Sequence, residues 1–131
     1  MAGDIAVRRD SPDSRAAALD GVRDRLGKKV SVMIMPEGTR SRTENMLPFR
    51  DGAFRTAVEL GLPVIPVAVA GTRNAMKPGS FIFNHATAEA RVLEPVETTG
   101  MTLKDVAALR EDVKERIRVA RDQLRAELGV V

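Results

Sequence analysis

The sequence holds 131 residues, 44% of them hydrophobic, with four Phe as its only aromatics, so Val, Ile, Leu, Ala and Met must fill whatever core it builds. That length suits a single domain, residues 1–131, and excludes two. The absence of Cys excludes a disulfide framework, a thiolate metal site and a cysteine nucleophile, and fits a reducing compartment.

Net charge is +3, and the excess lies early: residues 1–80 carry 13 Lys/Arg against 9 Asp/Glu, whereas residues 81–131 carry 8 against 9. An anionic small ligand or membrane surface is the partner class this favours, set against a plain solvated basic face.

Met1 to Asp10 carries Asp4, Arg8 and Arg9 and has no apolar h-region, so it reads as neither signal peptide nor anchor. Ser11-Pro12 resembles a cap followed by proline in the first turn. Leu19, Val22 and Leu26 then recur at helical spacing up to Gly27, which predicts a helix from about 12 to 27.

Val30 to Met35 is a short apolar run ended by Pro36 and predicts a buried strand of a parallel or mixed sheet. Residues 36–50, rich in Pro, Gly and charge, form a long loop. Asp51 then caps a second helix, with Ala53, Phe54, Ala57, Val58 and Leu60 on its apolar face and Gly61 at its stop.

Pro63 to Val69 predicts another buried strand, in which Pro66, having no N–H for a ladder, argues for an edge, a bulge or a strand end. Ser80–Phe83 and Ala88–Leu93 are weaker strand candidates, and Gly71-Thr72 and Pro78-Gly79 are turns. Thr102 to Asp105 resembles a capping box. It opens a long helix whose apolar face is Leu103, Val106, Val113, Ile117, Ala120, Leu124 and Leu128. The basic residues of that helix, Arg110, Lys114, Arg118, Arg121 and Arg125, are matched by acidic ones and read as a solvated face.

The chemistry concentrates in Pro36-Glu37-Gly38-Thr39-Arg40-Ser41-Arg42, placed after a strand pattern and before a helix, where ligands bind in open α/β sheets. Gly38 permits a tight turn and close ligand approach, Thr39 and Ser41 offer hydroxyls, and Arg40 or Arg42 can clamp phosphate bidentately. The same residues also read as a solvated turn in which Glu37 pairs with an arginine.

The run Met33 to Ser41 resembles the third signature block of the glycerolipid acyltransferases, a strand followed by F-P-E-G-T-R-S, with Met35 where Phe is usual. Leu47-Pro48-Phe49-Arg50-Asp51-Gly52-Ala53-Phe54 resembles the family's next segment. Val64 to Val69 resembles its fourth block, and Gly71-Thr72-Arg73 also fits. Gly3 to Arg9 resembles the second block, with Ala6 and Arg8 in place of its Phe and Asp.

The resemblance, to the lysophosphatidate acyltransferase type, runs from Gly3 to the final helix. It implies an α/β fold, a partial glycerol-3-phosphate acyltransferase-like mixed sheet flanked by helices. The implied activity is transfer of an acyl group from acyl-CoA or acyl carrier protein to a lysophosphatidate-type acceptor in phospholipid synthesis, with no cofactor or metal beyond the thioester donor. The implied place is the cytoplasmic side of a membrane. No nucleic-acid partner is expected, because the basic residues lack interleaved aromatics.

The family's first block, His-x-x-x-x-Asp, supplies the general base and is absent. The sole histidine, His85, is followed five residues on by Ala90. No catalytic residue is therefore assigned. What carries over is substrate binding by Arg9, Glu37, Gly38, Thr39, Arg40 and Ser41, with Arg9 also readable as a surface charge. The chain is expected to be an incomplete acyltransferase domain, inactive alone; the alternatives are a non-catalytic lysophospholipid-binding module or a decayed remnant. Missing strands would leave an exposed sheet edge or apolar face, with self-association as the consequence.

Overall fold

A computed structural model describes residues 12–75, 81–82 and 85–130, and the chain divides into two compact units between Ile34 and Met35. In the first unit, α1 spans Pro12–Gly27, as the helical spacing requires, and buries Val22. The helix does not use Gly27 as its left-handed stop. Lys29 takes that conformation (φ 59°), while Val30 N–H donates to Arg25 O at 2.9 Å to close the last turn.

The strand expected over Val30–Met35 is not formed. Its residues pair with no ladder among the described residues, and Val30, Met33, Ile34 and Met35 are all exposed, Met33 by 75%. An apolar run becomes a strand only when a neighbour accepts its backbone groups. Residues 36–51 form the expected long loop.

In the second unit, α2 spans Gly52–Leu60 and ends at Gly61 in the left-handed conformation (φ 64°), with Gly61 N–H donating to Val58 O at 3.2 Å and Leu62 N–H to Ala57 O at 2.8 Å. Asp51 holds the N-cap position without making a side-chain cap bond. Its carboxylate accepts instead from Arg110 Nη1 at 2.6 Å, so a tertiary ion pair has displaced the local cap.

Strand β1, Val67–Ala70, begins directly after Pro66, whose carbonyl accepts from Leu93 N–H at 2.9 Å. It pairs antiparallel with β2, Glu89–Val92, in the register Val67 opposite Val92 and Ala70 opposite Glu89; an isolated bridge joins Val64 to Val96. Between them, α3 is a single turn, Thr72–Ala75. Of the Ser80–Phe83 candidate, Phe81 and Ile82 are exposed and outside any strand, whereas Ser80, Phe83 and the Pro78-Gly79 turn lie outside the described residues.

Thr102 N–H donates to Asp105 Oδ2 at 2.7 Å, which forms the reverse half of the anticipated capping box; a 3-10 turn, Leu103–Asp105, then leads into α4, Val106–Leu128. The buried face of α4 is Val106, Leu109, Val113, Ala120 and Leu124. Leu103 instead stays 52% exposed because the 3-10 turn rotates it off that stripe, and Leu109 takes its place in the core.

Two apolar clusters result. Phe49, Phe54 and Val58 pack with Val106, Leu109 and Val113, and the two rings stack at 6.2 Å. Ala68 and Ala70 pack with Ala120 and Leu124, and the small side chains of β1 let α4 approach the sheet closely. Alternation along the strands sends Val69 and Val92 to the other face, where both are exposed together with Ile65.

Candidate functional site

The loop after Met35 is shaped by its own backbone and by one carboxylate. Gly38 N–H donates to Met35 O at 3.1 Å, and Arg50 N–H donates to Pro36 O at 2.9 Å, so the loop is closed at its base. Glu37 accepts from Leu47 N–H at 2.8 Å and ties the far arm to the near one. Gly38 sits at φ +70°, and a Cβ there would lie 2.8 Å from Arg50 Nε, so the absent side chain is what lets Arg50 cross the turn.

Ser41 organises the tip. Its Oγ lies 2.7 Å from Asn45 O and accepts Thr43 N–H at 3.2 Å, a local turn that consumes the hydroxyl. From outside the loop, Arg73 in α3 donates through Nη1 to Thr43 O and through Nη2 to Arg42 O, at 2.7 and 2.8 Å. Arg125 in α4 pairs with Glu44 at 3.3 Å.

Beside these tethers lies an open concavity of about 420 Å³. Its walls include Glu37, Thr39, Arg40 and Ser41 from the loop, Arg73 from α3 and Arg121 from α4. Of the residues singled out by sequence, four of the five between 37 and 41 thus line one space, and Gly38 shapes the turn beneath them. Arg9 lies outside the described residues. Arg40 is exposed and makes no hydrogen bond or ion pair with a described residue. Glu37 has a partner, but it is the Leu47 amide and not the arginine anticipated for a solvated turn.

Sequence reasoning placed Arg73 only within a family pattern and put Arg121 on a solvated helix face. Most basic residues of α4 do pair along that surface: Arg118 with Glu115 at 2.6 Å and with Asp122 at 3.0 Å, Arg116 with Asp112 at 3.0 Å. The Arg118 guanidinium holds the Glu115 carboxyl below its ordinary value of 4.5. Arg121 also meets a carboxylate, Asp122 at 3.4 Å, but its side chain is only 18% exposed. It follows Ala120 and lies four residues after Ile117, on the flank of the buried stripe, and that spacing is the signal that could have marked it.

Another concavity of about 420 Å³, by Met101 and Leu109, has Asp105 and Asp112 on its rim and no basic residue, so it is unsuited to an anion. Among the described residues no group of three or more His, Asp and Glu is placed to hold a metal ion. No described helix is long and apolar enough to cross a membrane.

The family model for the acyltransferases matches residues 1–70, the half of the chain that contains this loop. The chain belongs to the acyltransferase family. Its family relatives include human 1-acyl-sn-glycerol-3-phosphate acyltransferase alpha, 33% identical over 115 residues, covering 87% of this chain and 41% of the relative. The 1-acyl-sn-glycerol-3-phosphate acyltransferase of Saccharomyces cerevisiae is 31% identical over 116 residues, covering 87% of this chain and 37% of the relative.

The crystal structure of the 1-acyl-sn-glycerophosphate acyltransferase PlsC from Thermotoga maritima superposes with a TM-score of 0.73 at 30% identity, covering 83% of this chain and 44% of that one. The α/β acyltransferase fold and the 1-acylglycerol-3-phosphate type of the family follow from these likenesses. The chain spans about two fifths of the length of these relatives.

Proposed function

We propose that this chain holds the phosphate of a lysophosphatidate-type acceptor for acyl transfer from acyl-CoA or acyl carrier protein in phospholipid synthesis. The observation that carries this reading is Arg40, without an ion-pair partner among the described residues, on the wall of a concavity built by the family's own signature loop.

In the reaction, the acceptor hydroxyl oxygen attacks the thioester carbonyl, the C–S bond breaks and the thiol leaves, while a base takes the hydroxyl proton. Fixing the phosphate fixes the hydroxyl a few bonds away, and orientation of this kind supplies roughly 7 kcal/mol or more of barrier lowering. The base is not among the residues of this sequence, which contains no His-x-x-x-x-Asp. General-base help is worth about 10² to 10⁴ in rate, so this chain by itself is expected to bind the acceptor and turn it over poorly or not at all. That same absence favours a second reading, a lysophospholipid-binding module without turnover. An amphiphilic acceptor favours a membrane surface as the place of either version, and the resemblance implies its cytoplasmic side.

The test is calorimetric titration of a short-chain lysophosphatidate into the wild-type chain and Arg40→Ala. Loss of a charge-assisted phosphate contact weakens binding roughly tenfold or more; unchanged affinity rejects the assignment of Arg40. Acyl transfer measured with the purified chain separates the two readings, since turnover at an ordinary enzyme rate excludes the binding module.

A further inference from the structure

We infer that Arg121, on α4 and outside every signature segment, is a second phosphate-binding residue of the concavity; the inference rests on the reading of that concavity as a phosphate site.

Three guanidiniums, Arg40, Arg73 and Arg121, line the concavity against two carboxylates, Glu37 and Glu44. Each carboxylate is already engaged, Glu37 by the Leu47 amide and Glu44 by Arg125. Arg73 is engaged by the carbonyls of Arg42 and Thr43. Arg40 and Arg121 are the remaining cations.

Arg121 has one carboxylate within reach, and it is shared. Asp122 faces Arg118 at 3.0 Å, Arg121 at 3.4 Å and Arg125 at 3.6 Å. Arg118 has Glu115 as well, and Arg125 has Glu44, so Arg121 is the member of the trio left with the weakest neutralisation. Its side chain is only 18% exposed, and its Nε is buried without a hydrogen-bond partner. A guanidinium desolvated on its inner edge and poorly paired on its outer one favours an anion at the face it still presents.

Its position is also fixed. Ala120 and Leu124, buried against Ala68 and Ala70, set the register of α4 and so carry Arg121 to the wall. A phosphate monoester brings about −1.5 to −2 charge at neutral pH, which matches two guanidiniums better than one. Arg40 from the loop and Arg121 from the helix then supply a fork each.

The experiment titrates a short-chain lysophosphatidate and the corresponding phosphate-free monoacylglycerol into wild type, Arg121→Gln and Arg40→Ala. Arg121→Gln is expected to weaken lysophosphatidate binding about tenfold and leave monoacylglycerol binding unchanged. Wild-type affinity in Arg121→Gln, with Arg40→Ala weakened, overturns the role of Arg121 and leaves the phosphate site standing. Equal weakening for both ligands also overturns it, since that marks a packing role. Failure of the wild-type chain to bind lysophosphatidate overturns the site and this inference together. If Arg121→Gln melts below the assay temperature, Arg121→Lys carries the test: a several-fold loss for lysophosphatidate alone is expected, and parity with wild type overturns the need for the guanidinium fork.

Discussion

Arg73 and Thr43, separated by 30 positions, are joined by a 2.7 Å hydrogen bond from the guanidinium to the backbone carbonyl, and the second terminal nitrogen takes Arg42 O at 2.8 Å. The loop tip that carries Arg40 and Ser41 is thus held from α3 by one side chain. A loop with few buried apolar contacts depends on such tethers for its order.

Replacing Arg73 with Met is therefore expected to cost about 1 kcal/mol of global stability, because the two bonds are solvent-exposed. The larger effect is local. Amide hydrogen exchange across residues 41–46 should accelerate about tenfold, the equivalent of about 1.4 kcal/mol of lost local protection. Arg73→Lys, with a point charge that cannot span two carbonyls, should recover only part of it. Unaltered exchange in Arg73→Met counts against the tether.

The two glycines flanking this assembly differ in why they are glycine. At Gly71 (φ +87°) a Cβ would sit 1.9 Å from Thr87 O, a backbone atom that cannot turn aside. At Gly38 (φ +70°) the nearest obstacle is Arg50 Nε at 2.8 Å, the end of a flexible side chain. Gly71→Ala is expected to cost about 2 kcal/mol or more, combining backbone strain with a hard clash. Gly38→Ala should cost about 1 kcal/mol, mostly strain. Thermal unfolding of the pair checks the ranking, and the reverse order contradicts it.

Local signals were legible where local physics decides. Gly61 ends α2, Pro66 marks the start of β1, and the spacing from Val106 to Leu124 gives the buried stripe of α4. The strand over Val30–Met35 was not, because a ladder is a property of two segments and no described segment pairs with this one. Asp51 was misread for the same reason. Its partner, Arg110, is 59 residues away, and a direct ion pair there outcompetes a cap bond to its own helix. The concavity divides along this line: Glu37 to Ser41 are adjacent and could be read together, whereas Arg73 and Arg121 join them only through packing of α3 and α4.

Thr98 is the one buried polar side chain among the described residues, 1% exposed, and its hydroxyl donates to Leu62 O at 2.7 Å. Ala57 O lies 3.3 Å from the same hydroxyl but already accepts Leu62 N–H at 2.8 Å, so it has an alternative partner. Thr98→Val preserves shape and removes the donor from Leu62 O, at an expected cost of about 1–3 kcal/mol. Thr98→Ser keeps the donor and loses one methyl, at an expected cost of about 0.8 kcal/mol. Because Thr98 is not among the residues lining the concavity, both variants should bind short-chain lysophosphatidate as wild type does at temperatures where they remain folded. Chemical denaturation in which Val proves as stable as Ser means that this hydrogen bond does not hold the turn after α2, and that burial of the side chain alone accounts for the residue.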